Sequence, residues 1–164
     1  MSVVSDILQT WIDPKGLIRA KTVLPREDRA LATLMGACLL LFVSEWPSMA
    51  RSTAADPSVP FEARMGGGLM AVIFVMPLVF YGIAWISRLV AGVFGGKGSG
   101  YAARMALFQA LLAMTPLALI YGLARGLQGP GFAATVTGLA ALAGFLWMWL
   151  SMLVTVEREG PGHV

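Results

Sequence analysis

The chain has 164 residues, 57% hydrophobic and 13% charged, with a mean hydropathy of +0.75. Polar surface on that scale cannot cover a water-soluble domain of this size, and the small net charge of +3 gives no footprint for nucleic acid. A single cysteine, Cys38, and a single histidine, His163, leave no disulfide, no CxxC redox pair and no metal-ligand set to assemble.

The first element expected is an amphipathic helix. Val4, Ile7, Leu8, Trp11 and Ile12 recur at helical spacing, while Ser5, Asp6, Gln9 and Thr10 take the other side. Asp13, Pro14 and Gly16 punctuate it, and a second segment interleaves Leu17, Ile18 and Leu24 with Lys15, Arg19 and Lys21. Two readings fit this pattern. The segment anchors at the membrane interface, with Trp11 and Ile12 at headgroup depth and Lys15, Arg19 and Lys21 near anionic lipid; or it packs across the end of a helical bundle.

Four apolar segments follow, each long enough to span a bilayer core of about 30 Å at about 1.5 Å per residue. The expected spans are 30–46, 69–87, 105–124 and 132–153. Nine of the twelve Lys and Arg fall on the side of the N-terminus and three opposite, which predicts both termini in the cytoplasm of a prokaryotic (inner) membrane protein. The charged stretch before the first span and the lack of an A-x-A site after it speak against a cleaved signal peptide. The domain plan is therefore an interfacial segment 1–28, an all-α four-span bundle 29–156 and a tail 157–164 that includes His163.

The outer loop, expected from Pro47 to about Met65, is too short for a domain. The second loop reads GGKGSG from Gly95 to Gly100. It departs twice from the Walker pattern, with Ala91 in place of the first glycine and Gly98 in place of the Ser or Thr. A flexible connection is expected, with Arg88, Lys97 and Arg104 as its option for phospholipid headgroups.

Inside the membrane no ionisable residue falls at mid-span. Pro77 and Pro116 are followed by the similar strings PLVFYGIA and PLALIYGLA, as in a pair of kinked helices, with Thr115 and neighbouring helices meeting the carbonyls that proline leaves free. Small residues predict close helix packing: Gly122 and Gly126 form a GxxxG, and Ala134, Thr137, Gly138, Ala141 and Gly144 share one face of the last span. Trp46, Trp147 and Trp149 read as interfacial belt residues and Cys38 as a small core residue.

The stretch GGKGSGYAARMALFQALLAMTPLAL, from Gly95 to Leu119, resembles the Yip1 family, in which a glycine-rich cytoplasmic loop precedes a helix ending in a proline among apolar residues. The order of elements from Arg29 to Leu150 is also similar. The resemblance implies a multi-pass fold and a role in shaping or sorting membrane, as in the eukaryotic relatives that bind Rab-type GTPases. Two departures limit it. Family members generally have five spans, whereas the 26 residues from Gly131 to Val156 make one helix, and about 28 residues before the first span leave no counterpart expected for the GTPase-contacting domain.

The function expected is non-catalytic: a membrane-organising or interaction protein, with lipids, anionic ones among them, and a homo-oligomer or larger membrane complex as partners. The alternatives are a small accessory subunit of an energy-converting complex and a small transporter built on the Pro77/Pro116 hairpin. No catalytic constellation, cofactor site or metal site can be assembled from these residue types.

Overall fold

The computed structural model describes residues 3–160, and among them there is no strand. Helix α1 runs Val3–Ile12 and α2 Pro14–Thr22, followed by α3 (Glu27–Ala55), α4 (Phe61–Met70), a π-helical turn (Ala71–Val75), α5 (Met76–Val93), α6 (Gly100–Gln128) and α7 (Phe132–Glu159). Helices α3, α6 and α7, and the continuous Phe61–Val93 segment, are each long and apolar enough to cross a membrane, so the chain is an all-α, multi-pass bundle.

Every one of these helices outruns the span expected for it. The outer loop contracts to five residues between α3 and α4, because α3 continues through Pro47 to Ala55 instead of ending at the membrane. Contacts above the span hold this extension: Pro47 lies on Gly126, Arg51 donates to the carbonyls of Gly126 and Leu127 at 3.4 and 3.2 Å, and Arg125 faces Glu45 at 4.0 Å. Within the short turn, hydrogen bonds from Ser58 hold the Asp56 carboxyl below the usual carboxylate range. At the other end, α7 reaches Glu159, so Glu157 and Arg158 belong to its last turn and not to a tail. The region after Gly160, with His163, lies outside the described residues.

Helix α6 is the axis of the bundle. Between Tyr101 and Thr115 every residue except Arg104 is buried, with α1, α2, α3, α5 and α7 all packing on it. Beyond Thr115 the same helix exposes Ile120 and Leu123, because α1 and α2 do not reach that far. Helices α3 and α6 run parallel in register, with Glu27 beside Arg104, Ser44 beside Gly122 and Pro47 beside Gly126. That approach needs glycine: a Cβ on Gly122 would stand 1.7 Å from the Ser44 carbonyl oxygen, and one on Gly126 2.2 Å from Pro47 Cβ. On α7, Ala134 is buried, Gly138 abuts the Tyr121 ring, Gly144 meets Met114, and Ala141 packs against the core. The small-residue faces are thus used within this chain.

The two intramembrane prolines are accommodated differently. Pro116 cannot donate to the Leu112 carbonyl, and the Thr115 hydroxyl does so instead at 2.8 Å, as the sequence suggested. Before Pro77 the chain widens into the π-helical turn, with Met76 N–H bonded to the Ala71 carbonyl. The similarity of the strings after the two prolines therefore does not extend to the backbone.

Candidate functional site

Two polar sites are built where α6 begins. The first joins the N-terminal hairpin to the bundle. Asp13 caps α2, its carboxylate accepting from Gly16 N–H at 2.9 Å with Pro14 at the first helical position, so α2 turns back sharply on α1. This turn brings Lys21 against Asp6, Nζ to Oδ2 at 2.5 Å, and Lys21 also donates to Gln109 Oε1 at 3.0 Å. The Gln109 amide donates to Thr10 Oγ1 at 2.8 Å, and the Thr10 hydroxyl donates to the Asp6 carbonyl at 2.6 Å. Gln109 is 0% exposed and Lys21 5%. One oxygen of this network, Asp6 Oδ1, is buried without a hydrogen-bond partner among the described residues.

Gln109 lies nine residues into α6, about 14 Å from its start, and Ala113 lies about 20 Å in. Trp11 Nε1 donates to the Ala113 carbonyl at 2.9 Å, so the tip of α1 stands beside the charge-free part of the third span. Helix α1 therefore neither caps the end of the bundle nor lies free at an interface. Asp6 and Thr10 face α6 beside Ile7, which packs against the core, while Val4, Leu8 and Ile12 are exposed together with Ser5 and Gln9, Ile12 at 84%. Lys21 and Asp6, from outside the spans, are carried by the hairpin to the level of Gln109, four residues inside the expected span 105–124.

The second site is the glycine loop. The Glu157 side chain reaches into it: Gly98 N–H donates to Oε2 at 2.9 Å, Lys97 N–H donates to the Glu157 carbonyl at 2.8 Å, and Arg88 stands 3.5 Å from Oε2. A Cβ on Gly96 would lie 2.5 Å from Oε2, and one on Gly98 2.8 Å from the carboxyl carbon. The glycines are there because the carboxylate is. The loop is thus an ordered collar whose anion is the chain's own, where the sequence suggested a flexible connection. Ser99 closes it by capping α6, its hydroxyl accepting from Ala102 N–H at 3.1 Å. Without that carboxylate the loop should open. Glu157→Ala is expected to speed tryptic cleavage after Lys97 about tenfold, the value of one charge-assisted bond of about 1.5 kcal/mol, and an unchanged rate would show that the loop holds itself.

The basic residues expected at lipid headgroups separate into two groups. Arg19 is bonded to Glu159 at 2.5–3.0 Å, which raises its pKa above the usual value, Lys21 is buried, Arg88 faces Glu157 and Arg104 pairs with Glu27. Lys15 and Lys97 form no ion pair among the described residues. Trp147 is exposed beside Lys15 and Arg19, Trp149 stacks on Phe145 at 5.7 Å, and Trp46 meets Phe42 edge-on at 6.2 Å. Cys38 is buried in the core and no group of three metal-ligating side chains occurs among the described residues.

Gln109 and Glu157 were not singled out in the sequence, although both carry a signal. Gln109 is the only amide in the charge-free stretch 105–124, and Glu157 is the first acid to follow the last apolar run. No family model, curated protein or solved structure matches this chain.

Proposed function

We propose that the chain is a non-catalytic, membrane-organising protein of a prokaryotic cytoplasmic membrane, both termini cytoplasmic, whose α1–α2 hairpin is a wedge set into one leaflet. The observation that carries this reading is the seating of α1, with Asp6 and Thr10 bonded into the Lys21–Gln109 network, Val4, Leu8 and Ile12 exposed, and Trp11 bonded to Ala113 of the third span. A helix of a water-soluble bundle would bury Leu8 and Ile12. An apolar face held in the outer part of one leaflet adds area there and favours curvature, and the bonds to α6 keep it from withdrawing. The Yip1 resemblance of residues 95–119 implies the same kind of role.

The alternatives lose the features they relied on. The small-residue faces that an accessory subunit would offer to a partner are taken up by Ser44, Pro47, Tyr121 and Met114. A transporter would want polar groups beside its prolines, yet the hydroxyl next to Pro116 is committed to Leu112, and the turn before Pro77 exposes Ile73, Phe74 and Val75.

The test uses the full chain reconstituted in anionic vesicles. A spin label on Ile12→Cys should be reached by oxygen and shielded from an aqueous nickel relaxer, Cys38 being buried. Leu8→Asp with Ile12→Asp should return vesicle diameters to those of protein-free controls. A label open to water, or vesicle diameters indifferent to the double change, would refute the wedge.

A further inference from the structure

A cleft of about 380 Å³ lies between α5 and the start of α6, and it contains no residue of the hairpin. Leu78, Tyr81, Gly82 and Trp85 line its length, and Arg88 and Arg104 stand at one end. From Leu78 to Arg88 it follows about 15 Å of helix. Leu78 and Trp85 are exposed, so the cleft opens on the outer side of α5, within a segment long and apolar enough to span a bilayer.

We infer that this cleft binds a glycerophospholipid of single negative charge, with its phosphodiester on Arg88 and Arg104 and an acyl chain along Leu78, Gly82 and Trp85. Two guanidiniums at the polar end of an apolar slot present planar pairs of N–H donors, the arrangement that suits phosphate oxygens. Their internal partners leave donors over. Arg88 meets Glu157 and the Gly96 carbonyl only at 3.5 Å, and Arg104, though paired with Glu27 and set over the Tyr81 ring at 5.9 Å, keeps a buried Nε with no partner among the described residues. The two glutamates also set the charge of the ligand. Glu157 is buried beside Arg88 but Glu27 is 61% exposed and screened by water, so the polar end keeps part of its positive charge, enough for a monoanionic diester and less than a phosphomonoester would call for. Lys97, grouped with these arginines by sequence, does not line the cleft.

Gly82 supplies an independent handle. Nothing lies within 4 Å of a Cβ built there, so a side chain can start from this wall of the slot without a backbone clash while both arginines are kept in the chain. The experiment is native mass spectrometry of the whole protein in detergent, titrated with phosphatidylglycerol, with phosphatidylcholine and inorganic phosphate as separate arms, and folding checked by circular dichroism. Phosphatidylglycerol is expected to remain bound, to resist millimolar phosphate, and to lose about tenfold in affinity for each of Arg88→Gln and Arg104→Gln, the effect of one charge-assisted hydrogen bond. Gly82→Trp is expected to abolish retention with both arginines intact. Retention unchanged in Gly82→Trp, displacement by phosphate alone, or equal retention of phosphatidylcholine would each overturn the assignment, the first two by showing a site for a free anion and the third by showing no use of the charge.

Discussion

Gly122→Val should unfold the bundle at markedly lower temperature or detergent denaturant than the parent, with a loss of about 3 kcal/mol, the upper end of ordinary overpacking. The added atoms meet backbone and not a flexible side chain: the Cβ position is 1.7 Å from the Ser44 carbonyl oxygen and 2.6 Å from its carbon. Relief requires α3 and α6 to move apart, and they cannot do so locally. Pro47 presses on Gly126 one turn further on, and Glu27 holds Arg104 at the other end of the same interface. The matched control is Gly36→Val on α3, where nothing lies within 4 Å, so its effect is confined to helix propensity, in which valine exceeds glycine by a few tenths of a kcal/mol, and its midpoint should stay level or rise slightly. Thermal melts of both variants in the same detergent, followed by far-ultraviolet circular dichroism, decide the matter. Equal midpoints for the two would mean that the interface yields, and that the GxxxG is a spacing without a function.

The bundle was legible in the sequence because its signals are those of the bilayer itself. Long apolar runs from 30–46 to 132–153 and the small residues at Gly122, Gly126, Gly138 and Gly144 report burial and close approach directly. Helix ends were harder, since a proline such as Pro47 reads as a stop, and only the tertiary contacts of Pro47 and Arg51 with Gly126 show why α3 passes through it. The polar sites were least legible. The spacing of Val4, Ile7, Leu8 and Trp11 says that α1 has two faces and nothing about which one meets protein. The glycine loop reads like a phosphate cradle because carboxylate and phosphate ask the same thing of backbone N–H groups. What resolves both is a partner far away in the chain: Gln109 for Thr10, and Glu157 for Gly98.

The network around Gln109 carries the other large effect. Lys21→Met should destabilise the protein by about 3–5 kcal/mol, because it leaves the Asp6 carboxylate mostly buried with its ion-pair partner gone. The side chains of Lys21 and Asp6 are 7% and 14% exposed, so the unpaired carboxylate is hydrated poorly while the hairpin stays on α6 and more fully once it leaves. Release has its own readout. Ile18 is fully buried, and in an Ile18→Cys background the thiol should be slow to label while the hairpin is docked and fast in the Lys21→Met variant, with Cys38 protected in both. Joining Asp6→Leu to Lys21→Met removes both charges together and should recover part of the loss, since an apolar pair has no charge to desolvate, the remainder being the buried Gln109 Oε1 left without its donor. Gln109 keeps Thr10 in that double variant, so one anchor of α1 survives. Recovery of stability with slow labelling would mean that the charges select how α1 is seated and the apolar contacts of Leu17 and Ile18 provide the hold. Slow labelling already in Lys21→Met alone would contradict the idea that the ion pair governs docking, and the wedge would then be a fixed part of the bundle instead of a hairpin kept in place by a buried pair.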